Sequence, residues 1–154
     1  MFINKRIKYF QFSSKVNNMC YMFHYCSSLI ELNISNINTS KVNNISDVFD
    51  YFSSLKVLNI SNFSTNNVFN MSYLFYNCSS LKELNLSHFN ISSVKYMTHM
   101  FSDCTSLIEL NIANFEINKG TSINGMLQKC SLLKEINSSN ECIKLQFKAD
   151  KDIP

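Results

Sequence analysis

Glycine and proline are almost missing from this 154-residue chain, which has 2 of the first and 1 of the second. A fold built on many Gly/Pro turns is therefore excluded. Charge is sparse as well, at 16% Asp, Glu, Lys and Arg, and the net +3 is spread along the chain rather than gathered on one stretch, so nothing points to nucleic acid. No apolar run approaches the roughly 18 residues of a membrane-spanning helix. Lys5, Arg6 and Lys8 could open an export signal, but Gln11, Ser13, Ser14, Lys15, Asn17 and Asn18 interrupt the apolar stretch that should follow. The expectation is a chain with no signal peptide and no transmembrane segment. Catalytic patterns are lacking too. His24, His88 and His99 are scattered, no Ser or Cys has a base and an orienting acid nearby, and no C-x-x-C pair exists. The sequence reads as non-enzymatic, with no cofactor and no metal.

What is present is a core and a repeat. Hydrophobic residues make up 45%, enough for one domain with a real interior, and 22 Asn and 23 Ser fill the place that charge leaves. Val16, Val42, Val68 and Val94 are each 26 apart, as are Met19, Ile45, Met71, Met97 and Ile123. Phe23, Phe49, Phe75, Phe101 and Leu127 keep the same step, and so do Leu32, Leu58, Leu84, Leu110 and Ile136. No insertion breaks the register from residue 16 to 145, which makes five units of 26.

Each unit has two parts. In V-x-x-M-x-x-M-F-x-x-C, for example Val94, Met97, Met100, Phe101 and Cys104, the apolar spacing of 3, 3, 1 and 3 predicts one face of a short helix. In L-x-x-L-N-I, Leu110 and Ile112 alternate with Glu109 and Asn111, the period of a half-buried strand. The Ser/Asn-rich connection carries Phe63, Phe89 and Phe115, expected to plug the core at the corner. One unit cannot bury enough to offset the entropy of ordering it, so neighbours must stack and pair their strands in a parallel sheet. The fold class expected is an α/β repeat solenoid with five rungs of one short parallel strand and one short helix. Residues 1–15 read as a partial first rung, because Ile7, Tyr9 and Phe12 imitate Leu32, Ile34 and Ile37 with a one-residue slip. Residues 16–145 form the repeats and 146–154 a polar tail, with Ile143, Leu145 and Phe147 alternating as a final edge strand.

The block M-F-x-x-C-[ST]-S-L at 100–107, with close copies at 22–29 and 74–81, lies within a unit that resembles the BspA-like leucine-rich repeat surface proteins and the related repeat of mycoplasma surface lipoproteins. The resemblance implies a right-handed leucine-rich-repeat-like solenoid at a cell surface, in adhesion and ligand binding, with no catalytic residues. A non-catalytic module that binds a protein or cell-surface ligand is the function expected. An intracellular repeat scaffold in the same fold is the alternative.

Several columns could carry chemistry. Cys26, Cys78, Cys104 and Cys130 share one with Phe52, which argues for apolar packing, disulfides between rungs being the alternative. Asn33, Asn59, Asn85, Asn111 and Asn137 predict an amide ladder from rung to rung. Glu31, Glu83, Glu109 and Glu135 stack like charges that Lys56, Lys82 and Lys134 can offset. Ten N-x-[ST] sequons follow mostly from the Asn and Ser content. Two faces remain for a partner: a strand face with Lys82, Glu83, Asn85, Glu109 and Asn111, and a helix face with Tyr51, Tyr73, Tyr76 and Tyr96. The strand face is favoured narrowly.

Overall fold

Residues that recur every 26 positions along the chain are neighbours in space. The structure is a computed structural model and describes residues 6–7 and 15–151. Strand β1 is Arg6–Ile7, β2 Glu31–Asn33, β3 Val57–Asn59, β4 Glu83–Asn85 and β5 Glu109–Asn111. Strand β2 pairs with β3 in parallel as Glu31↔Val57, Leu32↔Leu58 and Asn33↔Asn59, and β4 with β5 as Glu83↔Glu109, Leu84↔Leu110 and Asn85↔Asn111. Strand β1 joins this pattern with Ile7 opposite Leu32, the one-residue slip read from the sequence. Tyr9 and Phe12 lie outside the described residues. Identical residues thus sit beside each other, and their apolar rows make one core. Phe49, Phe75 and Phe101 stack ring on ring, with centroids 5.4 and 5.7 Å apart, and Phe63, Phe89 and Phe115 are buried at the corners.

The expected parallel sheet is not continuous. It divides into β1-β2-β3 and β4-β5, and no Cα of β3 comes within 8 Å of one of β4. Leu58 is only half-buried while Leu32, Leu84 and Leu110 are buried. Val57, in the place of a Glu, stands 55% exposed. The opening is spanned by His88, whose Nε2 donates to the Ile60 carbonyl at 3.1 Å from a column held elsewhere by Asn36, Asn62, Asn114 and Asn140.

The expected helix of each unit is also absent: among the described residues the single helix is α1, Glu141–Lys151. The segments read as helical are chains of turns, and the reason is a competition for backbone N–H groups. An α-helix would close each N–H on its own carbonyl four residues back. Here alternate N–H groups go to the neighbouring unit instead: Ile45, Asp47, Phe49 and Tyr51 donate to the carbonyls of Asn70, Ser72, Leu74 and Tyr76 at 2.8–3.1 Å. The groups between them close tight turns, as Leu74 N–H does on Met71 O at 3.3 Å. Two left-handed residues per unit make this zigzag possible. They recur at 21, 47, 73, 99 and 125 and at 25, 51, 77, 103 and 129, with φ of 53–61°. The backbone bridges Asn18↔Asn44, Asn44↔Asn70, Asn70↔Tyr96 and Tyr96↔Ser122 run without interruption along this wall.

The asparagines replace the missing glycines and prolines as turn formers. Asn33, Asn59, Asn85 and Asn111 each turn Oδ1 back to the N–H two residues on, at 3.0–3.2 Å, rather than to the next unit. The amide ladder is therefore corrected to a column of local turns, with one amide-to-amide bond, Asn137 Nδ2 to Asn111 Oδ1 at 3.3 Å. Asn18, Asn44 and Asn70 repeat the device on the other wall.

The predicted last edge strand is α1. Asn140 caps it by accepting the Ile143 N–H at 3.2 Å, Glu141 lies in its first turn and Lys148 and Lys151 in its last. The boundary drawn at 145/146 falls inside it. Helix α1 closes the end of the repeats: buried Asp150 accepts the Leu127 N–H at 2.8 Å, a role that carbonyls of a following unit play for Phe49, Phe75 and Phe101.

Candidate functional site

In-register pairing lines up like side chains on the exposed side of β4 and β5. Glu83 faces Glu109 and Asn85 faces Asn111, while Leu84 and Leu110 between them turn inward. Neighbouring strands lie about 4.8 Å apart, so carboxylates and amides form two parallel rows. With Ile108, Glu135 and Asn137 these residues line an open groove of about 490 Å³. Four of the five residues singled out on the strand face, Glu83, Asn85, Glu109 and Asn111, are brought together in it. Lys82 is exposed next to Glu83 and does not line it. Asn85 Oδ1 accepts the Ser87 N–H, which leaves its Nδ2 to the groove, and Ile108 adds an apolar side chain, 49% exposed. Such a surface can bind an extended polar ligand by hydrogen bonds and charge. It encloses no reacting atom, and among the described residues no three His, Cys, Asp or Glu are placed to hold a metal ion.

The tyrosines stand on the opposite wall, on turns rather than on helices. Tyr25 lies flat on Tyr51, with centroids 4.3 Å apart and planes at 9°, and Tyr73 stacks on His99 at 5.2 Å. Beside Tyr25 and Tyr51, with the His24 ring edge-on to both, is a contact that sequence reasoning missed. His24 Nδ1 is 2.6 Å from both carboxylate oxygens of Asp50, which is itself buried. The signal was available, since 24 and 50 are the same repeat position. Burial pushes the carboxyls of Asp47 and Asp50 above the usual range, partly opposed at Asp50 by His24.

Cys78, Cys104 and Cys130 are buried with free thiols, and each Sγ–H donates to a Phe carbonyl of the preceding unit at 3.0–3.1 Å. Burial drives the Cys130 thiol far up, and contact with Cys78 together with burial does the same for Cys104. Cys26 is half-buried and Cys142 exposed.

The family described as Mycoplasma protein of unknown function, DUF285, matches this chain twice, over residues 2–84 and 52–145. The chain belongs to this family. The two overlapping matches follow from the 26-residue repeat, which lets the same pattern be laid on the chain at more than one offset. No curated protein and no solved structure matches it.

Proposed function

We propose that this DUF285 member is a non-catalytic interaction module, a short solenoid of leucine-rich-repeat type that engages a protein or cell-surface ligand across its strand face. The adhesion repeats that the M-F-x-x-C-[ST]-S-L block resembles are the model for this role. One observation carries the reading: Glu83, Asn85, Glu109 and Asn111 meet in one open groove, and neither carboxylate has an ion-pair partner among the described residues. A structural wall would not need carboxylates held in register, where like charges repel. The broad open shape suits a macromolecular surface rather than a small substrate.

The test uses the whole chain against a panel of immobilised extracellular-matrix proteins. Binding to a panel member should fall at least tenfold in the Glu83→Lys/Glu109→Lys double variant, with the far-ultraviolet circular dichroism unchanged. It should survive Tyr73→Ser/Tyr76→Ser. Binding that is lost only in the tyrosine variant would move the site to the other wall, and no binding to any member would remove the adhesion reading.

A further inference from the structure

The turn wall carries residues that its backbone does not favour. Of the nine non-glycine residues in the left-handed region, four are tyrosines: Tyr21, Tyr25, Tyr51 and Tyr73. A bulky residue there is a true outlier. The fold does not require it, because Gly125, Asn77, Asp103 and Lys129 fill the same two columns. Backbone strain retained where an easier residue would serve is a sign of function.

The tyrosines form an exposed aromatic surface. Tyr21 and Tyr25 are each 57% exposed. The stack of Tyr25 on Tyr51 is continued by Tyr76, edge-on to Tyr51 at 5.3 Å. Two acidic groups, Asp47 and Asp50, reach the same place. Asp50 is occupied by His24, but Asp47 is half-buried next to Tyr21's unit and makes no ion pair among the described residues. The negative potential is felt by the rings, since the Asp47 charge is the first cause that raises the Tyr21 hydroxyl above its ordinary value.

π-faces and an unpaired carboxylate together select a cation. The shape selects which one. A quaternary ammonium group needs rings on several sides, whereas here Tyr25 and Tyr51 lie flat on one another and Tyr21 stands edge-on to His24 beside them. A guanidinium is planar, weakly hydrated, stacks on aromatic faces and forks onto a carboxylate. We propose that Tyr21, Tyr25, Tyr51 and Asp47 form a docking surface for arginine side chains of a partner protein, distinct from the strand groove. The tyrosines supply the stacking faces and Asp47 the counter-charge.

The experiment compares hexa-arginine with hexa-lysine by titration calorimetry at 0.15 M salt. Tyrosine emission gives a second readout, because the chain has 7 Tyr and no Trp. Hexa-arginine should bind at least tenfold more tightly than hexa-lysine. Tyr25→Ser and Tyr51→Ser should each weaken it at least fivefold. Asp47→Asn should weaken it at least threefold; Asn suits the left-handed backbone, so this variant stays informative if a tyrosine variant fails to fold. Glu83→Lys/Glu109→Lys should leave hexa-arginine affinity within twofold. Equal affinity for the two peptides, indifference to Asp47→Asn, or loss in the groove variant would each overturn the proposal. The groove variant also separates this proposal from the strand-face reading, which predicts the reverse pattern for its own ligand.

Discussion

The two walls of the repeat are held together differently. The turn wall is bridged from Asn18 to Ser122 without a gap, and every second N–H in its turns goes to the neighbouring unit. The strand wall has the more regular sequence, yet it is split between β3 and β4. Regular strand spelling does not make a continuous sheet. Cohesion comes from the wall where backbone bonds and buried Phe, Met and Cys side chains coincide. The strand wall is left freer to open, and its residues are freer to vary in role. The turn wall thus joins the repeats continuously, while the strand wall leaves an opening between β3 and β4.

Truncating one side chain on each wall tests that reading most sharply. Phe75 is fully buried between Phe49 and Phe101. Phe75→Ala should cost about 3–5 kcal/mol, the range for large core truncations. Leu58→Ala, at the half-buried edge of the opening, should cost less than about 2 kcal/mol because the site is already partly solvated. Urea unfolding of the two variants measures both. Equal losses would mean that the strand wall carries as much of the fold as the turn wall.

The period was legible because stacked units place the same residue in the same environment, and apolar columns such as Phe23, Phe49, Phe75 and Phe101 record that environment directly. The helix was misread because a 3, 3, 1, 3 apolar spacing is shared by a helix and by a chain of turns with a left-handed residue every few positions. Nothing in Tyr21 or Tyr51 announces a positive φ. The sheet break left a faint trace, in Val57 where Glu belongs and His88 where Asn belongs. Helix α1 hid behind the alternation of Ile143, Leu145 and Phe147, although Asn140–Glu141 is a good helix start. Of the five strand-face residues read from their columns, four line the groove, and Ile108, which also lines it, was not among them. The Asp47 and His24–Asp50 surroundings of the tyrosines were not legible, because a column that holds His24, Asp50 and Tyr76 has no shared residue type to mark a contact.

Alkaline pH should separate the walls next. The buried thiols of Cys104 and Cys130 are raised above the free thiol's value of about 8.5. A raised folded-state value means that the stabilisation is complete below the unfolded thiol's pKa and is lost as pH rises above it. Each such thiol contributes a slope of about 1.4 kcal/mol per pH unit. Thermal stability should therefore fall between pH 8.5 and 10, and a Cys104→Ala/Cys130→Ala variant, though less stable at pH 7, should show a shallower fall. Lys82→Gln on the strand wall should leave the slope unchanged. A slope that persists between pH 8.5 and 10 in the cysteine variant would assign it to Cys26, whose thiol burial also raises; the tyrosine hydroxyls, with an ordinary value near 10, act above that window.

The smallest effect concerns the left-handed residues that let the turn wall exist. Gly125 has φ +61°, and a Cβ built there would lie 2.5 Å from His99 Cε1 and 2.6 Å from Nδ1. Lys129 occupies the other column with φ 59° and an exposed side chain joined to Asp103 by a 3.7 Å ion pair. Such a pair contributes little in water. The strain of a non-glycine residue in this region is about 1–2 kcal/mol, while glycine gives back part of that through its greater freedom in the unfolded chain. Lys129→Gly should therefore stabilise the protein by about 0.5–1 kcal/mol, and Lys129→Ala should change it by less than about 0.5 kcal/mol. Gly125→Ala should lose about 1–2 kcal/mol, because the same strain is added and the His99 ring must also move off Tyr73, on which it stacks. Midpoints of thermal unfolding rank the three. If Lys129→Gly destabilises, the left-handed columns are not strained, and the excess of tyrosine in them needs no functional reason.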